Sequence, residues 1–171
     1  VVHLHFGGDS QLSAKWITRN APKHLHSLMP GGGVQARELP MLHRHLKPLF
    51  GKLILCPRQL DDGWTSVFPA SIKRIEFHGS TFVRDEDFDT LRRGLGELQK
   101  SAYFTRQLTR LSICWFQQDE AVMEPLLESL LLSPMHRPRA LTELALFEVK
   151  VRPRFVQRLR AAYPTVKVIG Q

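Results

Sequence analysis

The sequence predicts an α/β fold, a short solenoid with a parallel, curved sheet of about five strands and a helical N-terminal cap. The main observation is an apolar spacing of three positions and then two, as in Leu108, Leu111 and Ile113. The same spacing recurs at residues 72, 75 and 77 and at residues 141, 144 and 146. It fits neither a helix period nor plain strand alternation. It is typical of solenoids in which each repeat contributes one short strand.

The chain is predicted to have two parts, a helical N-terminal cap and loop at residues 1–48 and a repeat-built α/β domain at residues 49–171. In the first part, apolar residues at helical spacing indicate one helix around Leu12–Ile17 and another around Leu39–Leu46. Between them, Gly31–Gly33 is the most permissive backbone in the chain and predicts an exposed loop.

Residues 49–171 alternate predicted strands with predicted helices. The strands start at residues 50, 72, 108, 141 and 163. The long interval from 72 to 108 requires an insertion around residues 100–107. Sequential parallel strands joined by helical crossovers stack into a curved sheet. A doubly wound α/β domain is the alternative fold, because its strands and helices alternate in the same way.

Three segments of this domain carry apolar residues at helical spacing, namely Phe88–Leu98, Val122–Leu131 and Phe155–Ala162. Acidic residues precede the first two segments, where they suit the positive end of the helix dipole. Pro153 precedes the third, and proline is favoured at the first position of a helix. We therefore expect one helix after each of the second, third and fourth strands.

The segment around the third strand gives a testable prediction about side-chain direction. Leu108, Leu111 and Ile113 are expected to face the core. Residues 110, 112 and 114 would then line the open side of the sheet. That side either contacts a partner or is only scaffold, and the sequence slightly favours scaffold.

The formal net charge of +8 is unevenly distributed along the chain. Residues 1–60 carry +6, residues 61–135 carry −4 and residues 136–171 carry +6. Basic ends of this kind favour RNA, anionic lipid headgroups or acidic protein partners. The residues predicted to contact a partner or an anion are Arg137, Arg139, Lys150, Arg152, Arg154, Arg158 and Arg160.

No motif predicts catalysis, a cofactor or a bound metal. Gly31–Gly33 lacks the Gly-Lys-Ser/Thr of a phosphate loop, and no Gly-x-Ser-x-Gly occurs. The His-x-His pairs are His3/His5, His24/His26 and His43/His45. Zinc needs three or four converging ligands, and acidic ligands are nearly absent nearby, so surface or contact histidines are the favoured interpretation. Cys56 and Cys114 form no C-x-x-C pair, which favours reduced thiols in a reducing compartment.

Three segments resemble leucine-rich repeats, and residues 72–91 are the clearest of them. Residues 72–91, IKRIEFHGSTFVRDEDFDTL, resemble a leucine-rich repeat with an acidic turn before its helix. The overall plan of roughly residues 50–169 resembles small mitochondrial proteins related to ATP synthase subunit s and the distal membrane-arm assembly components. Residues 155–168, FVQRLRAAYPTVKV, match the helix-then-strand ending of those proteins.

The resemblance implies a non-catalytic structural or assembly subunit of a large mitochondrial complex, either the respiratory chain or ATP synthase. Such a protein would act through protein–protein contacts in the matrix or on the matrix face of the inner membrane. No apolar run reaches the length of a membrane span, so any membrane contact would be peripheral. The alternative is a mitochondrial ribosomal protein whose basic ends contact rRNA through its backbone phosphates.

Overall fold

The computed structural model describes residues 3–6, 11–22, 27–29, 34–38, 41–42, 52–56, 60, 65, 72–79 and 85–169. The strands in these ranges form one seven-stranded parallel sheet whose spatial order is the chain order. They are β1 (His3–His5), β2 (Ser27–Met29), β3 (Lys52–Leu55), β4 (Arg74–His78), β5 (Arg110–Cys114), β6 (Glu143–Phe147) and β7 (Lys167–Ile169).

The helices lie between these strands along the chain. They are α1 (Ala14–Asn20), α2 (Asp85–Lys100), α3 (Ala102–Arg106), α4 (Glu120–Leu132) and α5 (Pro153–Ala162), with a short 3₁₀ helix at Ala36–Glu38. No helix in the described part of the chain is long and apolar enough to cross a membrane.

The sheet register explains the apolar spacing of the sequence. Ile75, Leu111 and Leu144 are neighbours across β4, β5 and β6, and all three are fully buried. Leu108 and Ile113 are buried in the same core, which confirms the side-chain directions predicted for the third strand. Because successive side chains of a strand alternate, residues 110, 112 and 114 belong to the other side of the sheet.

The helices bury their apolar stripes against one side of the sheet. Buried residues of α2, α4 and α5, such as Leu95, Leu127 and Phe155, share one hydrophobic cluster with Leu111 and Ile113. Residues 110, 112 and 114 are absent from that cluster. We call the side of the sheet that bears these three residues the open face.

The same hydrogen bond from a threonine hydroxyl to a backbone carbonyl recurs where consecutive strands begin. The Thr109 hydroxyl donates to the carbonyl oxygen of Lys73 at 3.0 Å, and the Thr142 hydroxyl donates to that of Thr109 at 3.0 Å. Each of these residues directly precedes a strand, β4, β5 or β6. The residues directly before β4, β5 and β6 are therefore linked by the same kind of hydrogen bond.

Five of the strands, β3 to β7, lie within a few residues of their predicted starts, which confirms the α/β class with a parallel sheet. The predicted insertion around residues 100–107 contains the extra helix α3. The predicted N-terminal helix around Leu12–Ile17 overlaps α1.

The prediction for residues 1–48 was wrong in one respect, since this segment also supplies two strands, β1 and β2. Strand β2 pairs with β3, so the sheet continues across the predicted boundary at residue 48. Strands of three residues are too short to show a hydrophobic period, and their pairing partners are distant in sequence. The predicted loop at Gly31–Gly33 and most of the helix predicted around Leu39–Leu46 lie outside the described residues.

Two glycines of α2 are expected to respond oppositely to alanine. A Cβ on Gly96 would meet no atom within 4 Å, whereas one on Gly94 would lie 2.7 Å from Leu60. Gly96→Ala should raise the free energy of unfolding by about 0.5–1 kcal/mol, because alanine has the higher helix propensity. Gly94→Ala should lower it by about 1–3 kcal/mol, because the added methyl overpacks the core. Urea unfolding of the two variants checks this, and stabilisation by Gly94→Ala would contradict the packing.

Candidate functional site

The open face carries a row of charged side chains near the start of its strands. Lys52, Arg74, Arg110, Glu143 and Lys167 are consecutive partners in the sheet register from β3 to β7. Side chains in register on one side of a parallel sheet are close neighbours. The row therefore presents four cations and one carboxylate across the sheet.

Glu76 lies at the centre of an ion cluster on the same face. It is only 7% exposed, and its carboxylate accepts from Lys52 Nζ at 2.8 Å and from Arg74 Nη2 at 3.1 Å. His78 Nε2 lies 3.3 Å from its other oxygen. Burial alone would raise the pKa of this carboxyl, but the hydrogen bonds from His78 and Lys52, together with the charges of Lys52 and Arg74, lower the pKa to about 2. Glu76 is thus held ionised.

The thiol of Cys114 lies next to this cluster, because Cys114 pairs in register with His78. Its side chain is 7% exposed, and it is a free cysteine. Burial, followed by the negative charge of Glu76, raises the pKa of the Cys114 thiol to about 11. Since the thiolate is the nucleophile, a thiol held protonated at neutral pH is poorly suited to covalent catalysis.

Three rings meet at the ends of β4, β5 and β6. The ring centroids of His78 and Trp115 are 4.5 Å apart, and those of Trp115 and Phe147 are 5.7 Å apart, both nearly perpendicular. Edge-to-face contacts of this kind are favourable ring arrangements. Trp115 remains 45% exposed and Phe147 52% exposed. We call His78, Trp115 and Phe147 the aromatic cluster.

The backbone holds Trp115 in a costly conformation. Its φ is 57°, and that of Glu148, which occupies the equivalent position after β6, is 52°. Left-handed backbone at a bulky residue costs about 1–3 kcal/mol. The following residues, Phe116 and Val149, are fully buried, so the turn directs the next side chain into the core and leaves the indole outside.

Gly79 permits the close approach of β4 to this turn. Its N–H donates to the carbonyl oxygen of Cys114 at 2.9 Å. A Cβ at this position would lie 2.6 Å from the Trp115 carbonyl oxygen and 2.9 Å from the Phe116 ring. Glycine is therefore required here by space, and it fixes where Trp115 sits beside His78.

Part of the predicted basic set is engaged in ion pairs between α4 and α5. The Arg152 Nε lies 3.0 Å from both carboxylate oxygens of Glu124, whose oxygen also accepts the Arg152 backbone N–H at 2.7 Å. Glu124 is 6% exposed, and these bonds from Arg152 lower the pKa of its carboxyl to about 2. Arg158 of α5 donates from Nη1 and Nη2 to the two carboxylate oxygens of Glu128, one turn after Glu124 on α4.

The other predicted basic residues fall in two places. Lys150 Nζ lies 3.6 Å from Asp119 Oδ1, and Arg154 and Arg160 are exposed on α5. Arg137 and Arg139 lie in the loop before β6, at the opposite ends of the strands. The seven residues therefore do not form one surface. Their contact with a partner stays a prediction.

Only one of the three His-x-His pairs, His3/His5, lies within the residues that the structure describes. His3 and His5 are both in β1, with ring centroids 6.2 Å apart, and the remaining pairs lie outside the described residues. Burial, Lys52 and His3 lower the pKa of His5. Within the described ranges, no three His, Cys, Asp or Glu side chains come together to hold a metal ion.

The aromatic cluster was missed by sequence reasoning. Trp115 directly follows the predicted third strand, and its neighbour Phe116 was not assigned to either side of the sheet. The available signal was a tryptophan at the strand end, outside the recurring apolar spacing. Its exposure depends on a left-handed backbone conformation at residue 115. A glycine or asparagine at this position would have indicated that conformation more clearly than a tryptophan does.

No protein-family model fits the chain, and no curated protein sequence matches it. The residues of the open face suit binding better than catalysis. They combine a carboxylate held ionised, a protonated thiol and two exposed rings at fixed positions.

The Glu76 cluster predicts acid sensitivity. Its carboxyl has a folded pKa of about 2 against an ordinary value of 4.5, so the ionised form stabilises the fold above pH 4.5. That stabilisation is lost as pH falls through about 2. We expect Glu76→Gln to lower the free energy of unfolding at pH 7 by about 2 kcal/mol, after allowance for solvent screening. Its loss of stability between neutral and acidic pH should also be smaller than that of the wild type.

Chemical unfolding followed by circular dichroism at several pH values measures both effects. Glu143→Gln is the control, since Glu143 lies on the same face and has no cation within 4.0 Å among the residues that the structure describes. Identical pH profiles for the wild type and Glu76→Gln would contradict the ion cluster.

Proposed function

We propose that this chain is a non-catalytic structural or assembly subunit that binds a partner protein through the aromatic cluster of its open face. The observation that carries the proposal is the pair of exposed rings, Trp115 and Phe147, at 45% and 52% exposure. Rings already fixed by packing lose little conformational freedom on binding, and tryptophan is enriched among residues that dominate interface energies.

A binding role also agrees with the chemistry of the neighbouring groups. A general acid or base works best with a pKa near the operating pH, and the pKa of Glu76 is about 2. The Cys114 thiol is held protonated by its raised pKa. Glu76 instead fixes the position of His78, which forms one side of the aromatic cluster.

We further propose that the sheet is a short solenoid of the leucine-rich-repeat kind. Three observations support this: strand order follows chain order, the helices share one core, and equivalent threonine bonds recur at Thr109 and Thr142. Repeat proteins of this kind use the strand-lined surface for binding. The open face is the corresponding surface here.

We propose a mitochondrial setting, in the matrix or on the matrix face of the inner membrane, as part of the respiratory chain or ATP synthase. This part rests on the resemblance of roughly residues 50–169, and of the ending at residues 155–168 in particular, to small mitochondrial proteins. The second candidate function is a mitochondrial ribosomal protein, and the observation in its favour is the group of basic residues around Arg137 and Arg139. Against it, Arg152 and Arg158 already pair with carboxylates of α4.

Affinity purification of the full chain from its own cells, with quantitative mass spectrometry, tests the proposal. We expect subunits of one respiratory complex or of ATP synthase to co-purify, with recovery unchanged by ribonuclease. Binding through aromatic packing should also persist in about 0.5 M salt. Salt at that concentration screens interactions between exposed charges beyond a few ångströms, and ring packing does not depend on such interactions. Recovery of ribosomal proteins with rRNA, lost on ribonuclease treatment or at high salt, would instead support the ribosomal function.

A further inference from the structure

A second surface lies at the opposite ends of the strands, away from the aromatic cluster. It is a shallow depression of about 370 Å³ between the end of α2, helix α3 and the loop that leads into β6. Its basic lining residues are Lys100, Arg106, His136, Arg137 and Arg139. We call it the basic depression.

The four Lys and Arg side chains of the basic depression have no carboxylate within 4.0 Å among the residues that the structure describes. Arg152, directly before α5, and Arg158, within α5, are by contrast paired with carboxylates. Lys100 and Arg106 lie in the last turns of α2 and α3, where they also suit the helix dipoles. Arg137 and Arg139 lie in the loop after α4 and add two more positive charges. The dipoles of α2 and α3 do not account for these two arginines.

The loop of the basic depression also presents an apolar side chain to solvent. Met135 is 83% exposed and lies between Pro134 and His136. The Arg139 backbone N–H donates to the Thr105 carbonyl oxygen at 3.0 Å, which ties the loop to α3. The loop is further restricted by proline at residues 134 and 138. Met135 is therefore held outward among cations.

We propose that the basic depression binds the surface of a bilayer that contains anionic phospholipids. The cations would contact headgroup phosphates, and Met135 would enter the boundary between headgroups and acyl chains. An exposed thioether gains nothing from a nucleic-acid backbone. Unpaired RNA bases stack mainly on aromatic rings, and the half-buried His136 imidazole is the one aromatic ring in the described lining. The combination favours lipid over RNA.

This proposal is independent of the partner of the aromatic cluster. The basic depression lies where β5 and β6 begin, and the aromatic cluster lies where β4, β5 and β6 end. One molecule can therefore use both surfaces at once, with the sheet between a membrane and a protein partner.

Vesicle co-sedimentation of the full chain tests the proposal. We expect binding to vesicles of phosphatidylcholine with one-third phosphatidylglycerol, and none to phosphatidylcholine alone. The double variant Arg137→Gln/Arg139→Gln should bind roughly 30-fold more weakly, from the usual contribution of each cation near an anionic surface. Met135→Ser should bind roughly fivefold more weakly, because only part of the side chain leaves water on insertion.

The matched control is Arg154→Gln/Arg160→Gln, which removes the same charge from exposed positions of α5. It should change vesicle binding by less than about threefold, and all variants should keep the wild-type circular dichroism spectrum and melting temperature. Equal loss in the two double variants would overturn the proposal, since net charge alone would then explain binding. The proposal would also be overturned by RNA binding that Met135→Ser leaves unchanged, together with no binding to the anionic vesicles.

Discussion

Trp115→Ala is expected to weaken binding of the partner protein by about 30-fold, the effect of removing a central aromatic residue from an interface. The indole is the middle ring of the aromatic cluster, in contact with both His78 and Phe147. Its removal takes away contact area and also frees the Phe147 ring. Affinity can be measured by titration of the purified partner, and Phe147→Ala should act in the same direction.

Trp16→Ala provides a matched control for this prediction. Trp16 is 45% exposed, as Trp115 is, but it lies on α1 and contacts Phe6. Its replacement should leave affinity within about twofold of the wild type, as for a residue outside the interface. Equal weakening by the two substitutions, or none by Trp115→Ala, would show that the aromatic cluster does not bind the partner.

Leu111→Ala should strongly lower the free energy of unfolding. Leu111 is fully buried in the central row of β5, between Ile75 of β4 and Leu144 of β6. Truncation of a fully buried leucine costs about 2–5 kcal/mol, because transfer energy is lost and a cavity remains. For a chain of this size, that loss lowers the melting temperature by about 10 °C.

Thermal and urea unfolding check the Leu111 prediction, with Leu132→Ala as the control. Leu132 is half-buried at the end of α4, so its truncation leaves little cavity and should cost less than about 1.5 kcal/mol. Similar losses from the two variants would contradict the placement of Leu111 at the centre of the core.

The sheet was largely predictable because its strands repeat a local pattern. The row formed by Ile75, Leu111 and Leu144 is visible in the sequence as one spacing that occurs three times. Strands β1 and β2 could not be predicted in this way. Each has three residues, and its place depends on pairing with a segment more than twenty residues away.

The candidate site was less predictable because it depends on tertiary contacts. Glu124 of α4 and Arg152, which directly precedes α5, are 28 residues apart in sequence, so the arginine could be counted but not assigned a partner. The aromatic cluster gathers one ring from each of three strand ends, and it needs the left-handed turn at Trp115. No spacing rule within a single segment contains that information.

The central claim is that a protein partner contacts the aromatic cluster, and site-specific photo-crosslinking tests it most directly. A benzophenone amino acid would replace Phe147, or in the control Gln157, an exposed residue of α5. Irradiation in the native cell should join residue 147 to one protein, the same subunit whose recovery Trp115→Ala reduces. Residue 157 should give no such adduct. Adducts from residue 157 alone, or adducts to RNA from residue 147, would contradict the claim.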